Sequence, residues 1–208
     1  LKRDACLENR VAPPESAYHT KFEHNGSASG GGTGPNRSEP ESKPESKPAL
    51  DPVTDRGGDK TPVSHLHALR CLVIDHARKL DREITVIEIG SWVGDSAIAM
   101  ADAGDCVVWC VDHWQGNKGD WTGELAEEAG GQFAMYQKFL ENIGDRHART
   151  IFSCIGESLT VAASSMGAVP AETDILYLDS EHTYEAFKAD VLAWLPRVRD
   201  GGLFAFHD

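Results

Sequence analysis

From residue 84 onward the chain alternates between short apolar runs and segments of helical period, and this alternation decides its fold class. Five runs stand out, at residues 84–89, 106–111, 150–155, 174–178 and 202–206. They are continuous rather than alternating in polarity, which marks strands buried on both faces. Residues 96–103, 124–128, 132–143, 158–166 and 183–195 between them carry helical patterns, and Phe187, Val191 and Leu195 share one face of the last. A further amphipathic helix is expected over residues 63–80, where Val63, Leu66, Leu69, Val73 and Leu80 recur near helical spacing. Strands joined by helical crossovers give an α/β fold, a Rossmann-like doubly wound parallel sheet with helices on both faces. The sheet is expected to be truncated after its fifth strand, leaving residues 202–206 as an open apolar edge, a surface through which copies of the chain could pair.

The first 62 residues have a different texture. Residues 25–62 are dominated by Gly, Ser, Pro, Lys and Glu, and a Pro-Glu-Ser-Lys unit is doubled at positions 40–47. Too few apolar side chains are present to offset the entropy of ordering, so residues 1–62 are expected to be a disordered tail or linker, with the folded domain spanning 63–208. The chain starts at Leu1 and stops directly after an apolar run, the pattern expected of a fragment.

Charge is concentrated in the folded part. The tail has 9 basic and 10 acidic residues, which leaves 11 basic and 23 acidic for the rest of a chain whose net charge is −13. A field of that sign repels phosphate backbones and anionic lipids, so neither nucleic acid nor a membrane is expected as partner. The five cysteines have irregular spacings, with no zinc-binding pattern, and read as small core residues in a reducing compartment. With no signal peptide and no stretch of 18 apolar residues, the expected location is the cytoplasm.

In doubly wound folds ligands lie beyond the carboxyl ends of the strands, and polar residues follow all five runs. After the first comes Glu88-Ile89-Gly90-Ser91-Trp92-Val93-Gly94, where Gly90 and Gly94 allow a tight turn and close approach of a ligand to the backbone. The second ends in Asp112, 22 positions after Gly90, where a carboxylate can accept both hydroxyls of a ribose. Gly156-Glu157-Ser158 after the third run suits the edge of an adenine ring or serves as an ordinary helix cap. The fourth ends in Asp179-Ser180-Glu181-His182 and the fifth in His207-Asp208. Neighbouring strand ends would bring Asp179 and Asp208 together, and two carboxylates that close call for a proton or a divalent cation. His182 is then placed to act as a general base.

Taken in order, Glu-x-Gly-x-x-x-Gly, the Asp after the second strand, Gly-x-Ser, Asp-x-x-His-x-Tyr and Gly-Gly-apolar-His-Asp resemble the class I S-adenosylmethionine (SAM)-dependent methyltransferases. Within these the chain resembles the branch of macrocin-type sugar O-methyltransferases and cephalosporin-hydroxylase-like proteins, and more distantly catechol O-methyltransferase. The resemblance covers about residues 65–208. It implies that Glu88, Gly90, Ser91 and Gly94 line the methionine end of SAM, that Asp112 holds the ribose, and that His113 and Trp114 lie near the adenine, which Gly156, Glu157 and Ser158 border. It also implies that Asp179 and Asp208 hold Mg²⁺ or another divalent metal and that His182 is the catalytic base. Two positions depart from the family pattern. Trp92 stands where a middle glycine is frequent, and His207 stands where oxygen ligands are common, so it either stays out of the metal shell or marks a softer metal.

The function these readings predict is O-methylation of a small hydroxylated molecule, with SAM as methyl donor and with metal assistance. Two alternatives are an NAD(P)-dependent oxidoreductase, which would share Asp112 but for which a clean G-x-G-x-x-G is missing, and an inactive methyltransferase-like module that binds partners.

Overall fold

The computed structural model describes residues 62–119, 121–164 and 167–207. The expected tail lies outside the described residues except for Pro62, and so does Asp208. Helix α1 (Val63–Leu80) leads into β1 (Ile84–Ile89), α2 (Asp95–Ala101), β2 (Cys106–Asp112), α3 (Trp121–Ala129) and α4 (Gln132–Ile143). There follow β3 (Ile151–Ile155), α5 (Ser158–Ala162), β4 (Thr173–Leu178), α6 (Tyr184–Trp194) and β5 (Val198–Phe206). All five strands are parallel, in the order β3-β2-β1-β4-β5. The order reverses between β1 and β4, and that switch point opens a crevice at the carboxyl ends of the strands.

The alternating direction of side chains along each strand divides the core into two layers. Ile84, Val86, Val108, Cys110, Ile175 and Tyr177 pack with Leu69 and Val73 of α1, Ala97, Ile98 and Met100 of α2, and Met135 and Phe139 of α4. On the opposite face Ile87, Ile89, Val111, Leu176 and Leu178 pack with Val161 of α5 and Trp194 of α6. Cys106 and Cys110 lie in the first layer, where burial pushes the Cys106 thiol up to about 12 and the Cys110 thiol well above its ordinary value. Both stay protonated and inert, and Cys71, Cys106 and Cys110 are free thiols.

Two element bounds differ from the expectation by four residues, the others by fewer. Helix α5 ends at Ala162, short of residue 166, and the Arg197 guanidinium donates to the carbonyl of Ala162 at 2.9 Å and to that of Pro170 at 2.9 Å. Strand β5 begins at Val198, four residues earlier than its apolar run. Its ladder with β4 jumps from Thr173↔Val198 to Ile175↔Leu203, so polar residues 199–202 are carried as an irregularity that hydrophobic patterning does not reveal. Beyond it, β5 is the end strand: Phe206 is 57% exposed and packs with Phe187 and Phe204.

The amino ends of the central strands are fastened by charge. Asp174, at the start of β4, has a side chain only 2% exposed and accepts from Arg82 at 2.6 and 2.9 Å, from Arg199 at 3.0 Å and from the Thr85 N–H at 2.8 Å. Burial alone would raise its pKa, but Arg82, the Thr85 N–H and Arg199 outweigh that and hold the carboxyl well below the usual range.

Candidate active site

A cavity of about 550 Å³ lies across the carboxyl ends of the strands, within the range that takes a nucleoside-sized ligand. Gly90, Asp112, His113, Gly156, Glu157, Ser158, Asp179, His182 and His207 all line it. The strand ends are held in register by backbone bonds that continue the sheet: Gly90 N–H to Val111 O, Gly156 N–H to Asp112 O, Asp179 N–H to Ile89 O and His207 N–H to Leu178 O, at 2.8–3.0 Å.

The bend after β1 is shaped by close packing. Gly90 has φ +87°, and a Cβ there would lie 2.0 Å from the carbonyl oxygen of Asp179, so only glycine lets β1 pass the end of β4. Trp92 is itself left-handed, with φ 44°, which explains why glycine is frequent at this place; a bulky residue held there costs about 1–2 kcal/mol. Asp112 and Trp114 hold it. The Trp92 N–H donates to Asp112 Oδ2 at 2.8 Å, and the Trp114 indole N–H donates to the Trp92 carbonyl at 2.6 Å. Asp112 Oδ1 accepts the Trp114 N–H at 2.6 Å, so each carboxylate oxygen has one amide and keeps a lone pair for a ligand.

Several residues expected at the ligand are placed elsewhere. Trp114, expected beside an adenine, is fully buried in the core against Tyr136 and Phe139, because its own left-handed conformation, φ 52°, turns the ring under the bend. Glu88 and Ser91 are also buried and do not line the cavity, and Gly94 packs on the Phe139 ring. Glu88 shares the face of Ile84 and Val86, beneath the bend. Its Oε2 accepts from the Cys110 thiol at 3.4 Å, and burial drives its pKa from 4.5 up to about 7 against the opposing pull of Ser91, Ser96 and Cys110.

On the other side of the crevice stand Asp179, His182 and His207. Asp179 Oδ1 lies 3.4 Å from His207 Nδ1 and 3.9 Å from His182 Nε2, while Oδ2 accepts from the Tyr177 hydroxyl at 3.1 Å. The His207 ring also meets that of His65 from α1 edge to face, at 5.2 Å between centroids. As a metal centre this set is a poor match for Mg²⁺, which wants oxygen ligands: it offers one carboxylate and two imidazoles. Among the described residues no group of three or more His, Cys, Asp and Glu side chains is arranged to hold a metal ion, and Asp208 lies outside them.

Sequence reasoning missed one part of the site. Asp190 of α6 is buried, lines the cavity, and accepts from Ser158 at 2.5 Å and Ser180 at 2.7 Å; the Trp194 indole N–H donates to Ser158 at 2.8 Å. This joins the turn after β3 to the end of β4. Trp121, which the sequence leaves open as a substrate wall or as loop packing, meets Trp92 in an aromatic corner at 6.5 Å and 78°, and both line the cavity.

Strand order, switch point and a cavity across the strand ends define an α/β domain of the doubly wound, nucleoside-binding class. Residues 87–208 match the family described as methyltransferase domain, and the chain belongs to that family. Membership sets aside the nicotinamide reading. No curated protein matches the chain significantly. Among solved structures, the O-methyltransferase NovP is similar at 16% identity with a TM-score of 0.50, covering 69% of this chain and 64% of that one. The SAH-bound methyltransferase PaMTH1 of Podospora anserina is 14% identical with a TM-score of 0.43, covering 65% of this chain and 50% of that one. At such identities the likeness to NovP speaks for the fold alone. The chain spans between half and two thirds of the length of these two proteins. No helix among the described residues is long and apolar enough to cross a membrane.

Proposed function

We propose that this chain carries out SAM-dependent O-methylation of a small hydroxylated molecule. One arrangement carries the reading: a single cavity joins Asp112 and the bend at Gly90 to Asp179, His182 and His207. Its size suits the cofactor, its acidic lining suits a sulfonium cation, and family membership supports methyl transfer.

When bound, SAM supplies an electrophilic methyl group. The chain's own task is alignment and proton removal. Asp112, preset by the amides of Trp92 and Trp114, offers its remaining lone pairs to the ribose hydroxyls. Gly156, Glu157 and Ser158, fixed through Asp190, border the base. His182 Nε2 takes the proton of the acceptor hydroxyl as the oxygen attacks, and Asp179 stabilises the imidazolium that forms. Holding acceptor oxygen and methyl in line supplies the rest of the acceleration.

Calorimetry with SAH, with NAD as control, tests cofactor binding, and an assay of SAH release over a panel of sugars and phenols tests turnover. Micromolar SAH affinity with no NAD binding is expected. A chain that binds no SAH, or binds it without turning over any acceptor, would instead be the inactive relative.

A further inference from the structure

We infer that the acceptor is a hydroxylated ring carrying neither phosphate nor carboxylate, received by the corner that Trp92 and Trp121 form in the cavity wall. The inference deepens the methyl-transfer reading and rests on it.

The corner is built rather than incidental. A tryptophan at φ 44° is a costly choice where glycine would be unstrained, and such conformations persist where the local structure over-determines them for use. Here the backbone of Trp92 is held from both sides, by Asp112 at its N–H and Trp114 at its carbonyl. Trp121 opens α3 and is placed by an equally tight segment. The Asn117 N–H donates to Thr122 Oγ1 at 2.8 Å, a Cβ on Gly116 would lie 2.3 Å from the Thr122 carbonyl carbon, and one on Gly123 would lie 2.4 Å from Asn117 O. The two indoles meet nearly at right angles, 78°. They offer a face and an edge to a flat or ring-shaped ligand, whose C–H or π surface packs well on indole.

Electrostatics sets the second half of the selection. Five carboxylates line the cavity, those of Asp112, Glu157, Asp179, Glu181 and Asp190, and among the described lining residues there is no Lys or Arg. A phosphate or carboxylate on the acceptor would find no Lys or Arg among the described lining residues and would face a lining in which five carboxylates outnumber three imidazoles. An uncharged or amine-bearing ring meets neither penalty.

The test uses the full chain with SAH bound and two matched probe pairs, 4-methylcatechol with 3,4-dihydroxybenzoate and glucose with glucose 6-phosphate. Calorimetry reads binding, and SAH release from SAM reads turnover. The uncharged member of at least one pair is expected to bind at least tenfold more tightly than its anionic partner. Trp92→Leu and, at the more exposed position, Trp121→Leu are each expected to weaken that binding about tenfold; in Trp121→Leu, which leaves the bend beside Asp112 untouched, SAH affinity stays within about twofold, and Trp121→Phe restores most of the loss. Equal or tighter binding of the anionic members, no binding of either uncharged probe, or unchanged binding in both leucine variants would overturn the inference while leaving the cofactor reading intact. Failure of the wild-type chain to bind SAH would overturn both.

Discussion

Asp112 Oδ2 accepts the backbone N–H of Trp92 at 2.8 Å, so the end of the second strand sets the shape of the bend that follows the first. One carboxylate therefore has two duties: it preorganises a strained loop and offers lone pairs to a ligand.

Replacing it separates them. Asp112→Asn keeps one acceptor oxygen and puts an N–H₂ donor against one of the two amides, whereas Asp112→Ala leaves both amides without acceptors. Loss of a buried hydrogen-bond partner costs about 1–3 kcal/mol. Calorimetry should show SAH binding weakened about 10- to 100-fold in either variant, with a lower melting temperature for the alanine. Unchanged SAH affinity in Asp112→Ala would remove the residue from the cofactor site.

The carboxyl of Glu88 makes stability depend on pH. Its pKa rises from 4.5 to about 7 on folding, so the folded state holds its proton more tightly than the unfolded state does. The sign follows: the contribution of Glu88 to stability is greatest below about pH 4.5 and falls as pH rises, with most of the loss complete once pH exceeds 7. A shift of that size amounts to about 3 kcal/mol. Urea unfolding of Glu88→Gln at pH 5 and pH 8 should show that this fall is gone, leaving the variant more stable than wild type at pH 8. A parallel fall in both proteins would mean that Glu88 does not carry it.

Asp174 works in the opposite sense. Its depressed pKa gives stability that is full above the ordinary carboxylate range and is lost as pH falls through and below it. Asp174→Ala leaves two partly exposed guanidinium groups and the Thr85 amide without their acceptor. The cost should be about 2–4 kcal/mol in urea unfolding at pH 7, reduced from the fully buried case because Arg82 and Arg199 stay in contact with water. SAH affinity of the folded variant should be unchanged, because the cluster lies at the other end of the sheet.

Removal of the base should lower turnover and spare binding. With an accepted substrate, His182→Ala is expected to lose 10²- to 10⁴-fold in kcat at unchanged SAH affinity. Full activity of that variant with every accepted substrate would move the base to another group. A His182 imidazole backed by Asp179 can take the proton without a metal, so wild-type activity should survive excess chelator; loss of activity, restored by added Mg²⁺, would bring a metal into the reaction.

The five strands are legible in the sequence because a short, continuous apolar run bounded by turn residues fits little besides a strand buried on both faces. Asp112, Asp179 and His182 stand out because polar residues at the ends of buried strands need a reason. Trp114 misleads: beside Asp112 in sequence, it is turned into the core by a backbone angle that no side-chain pattern reports. Glu88 can be assigned from parity, since it falls on the face of Ile84 and Val86. Asp190 is hidden inside a helix whose other residues read as ordinary amphipathic pattern, and its meaning comes only from Ser158 and Ser180, which lie 32 and 10 residues away.

The Arg82–Asp174–Arg199 cluster has an evolutionary consequence. It clamps the feet of three adjacent strands, far from the loops at their tips. Because the sheet's alignment does not depend on those loops, substitutions there can alter which molecule is accepted while the scaffold beneath stays in register. A lineage of such domains could therefore explore new acceptors by rewriting a few tip residues, Trp92 and Trp121 foremost.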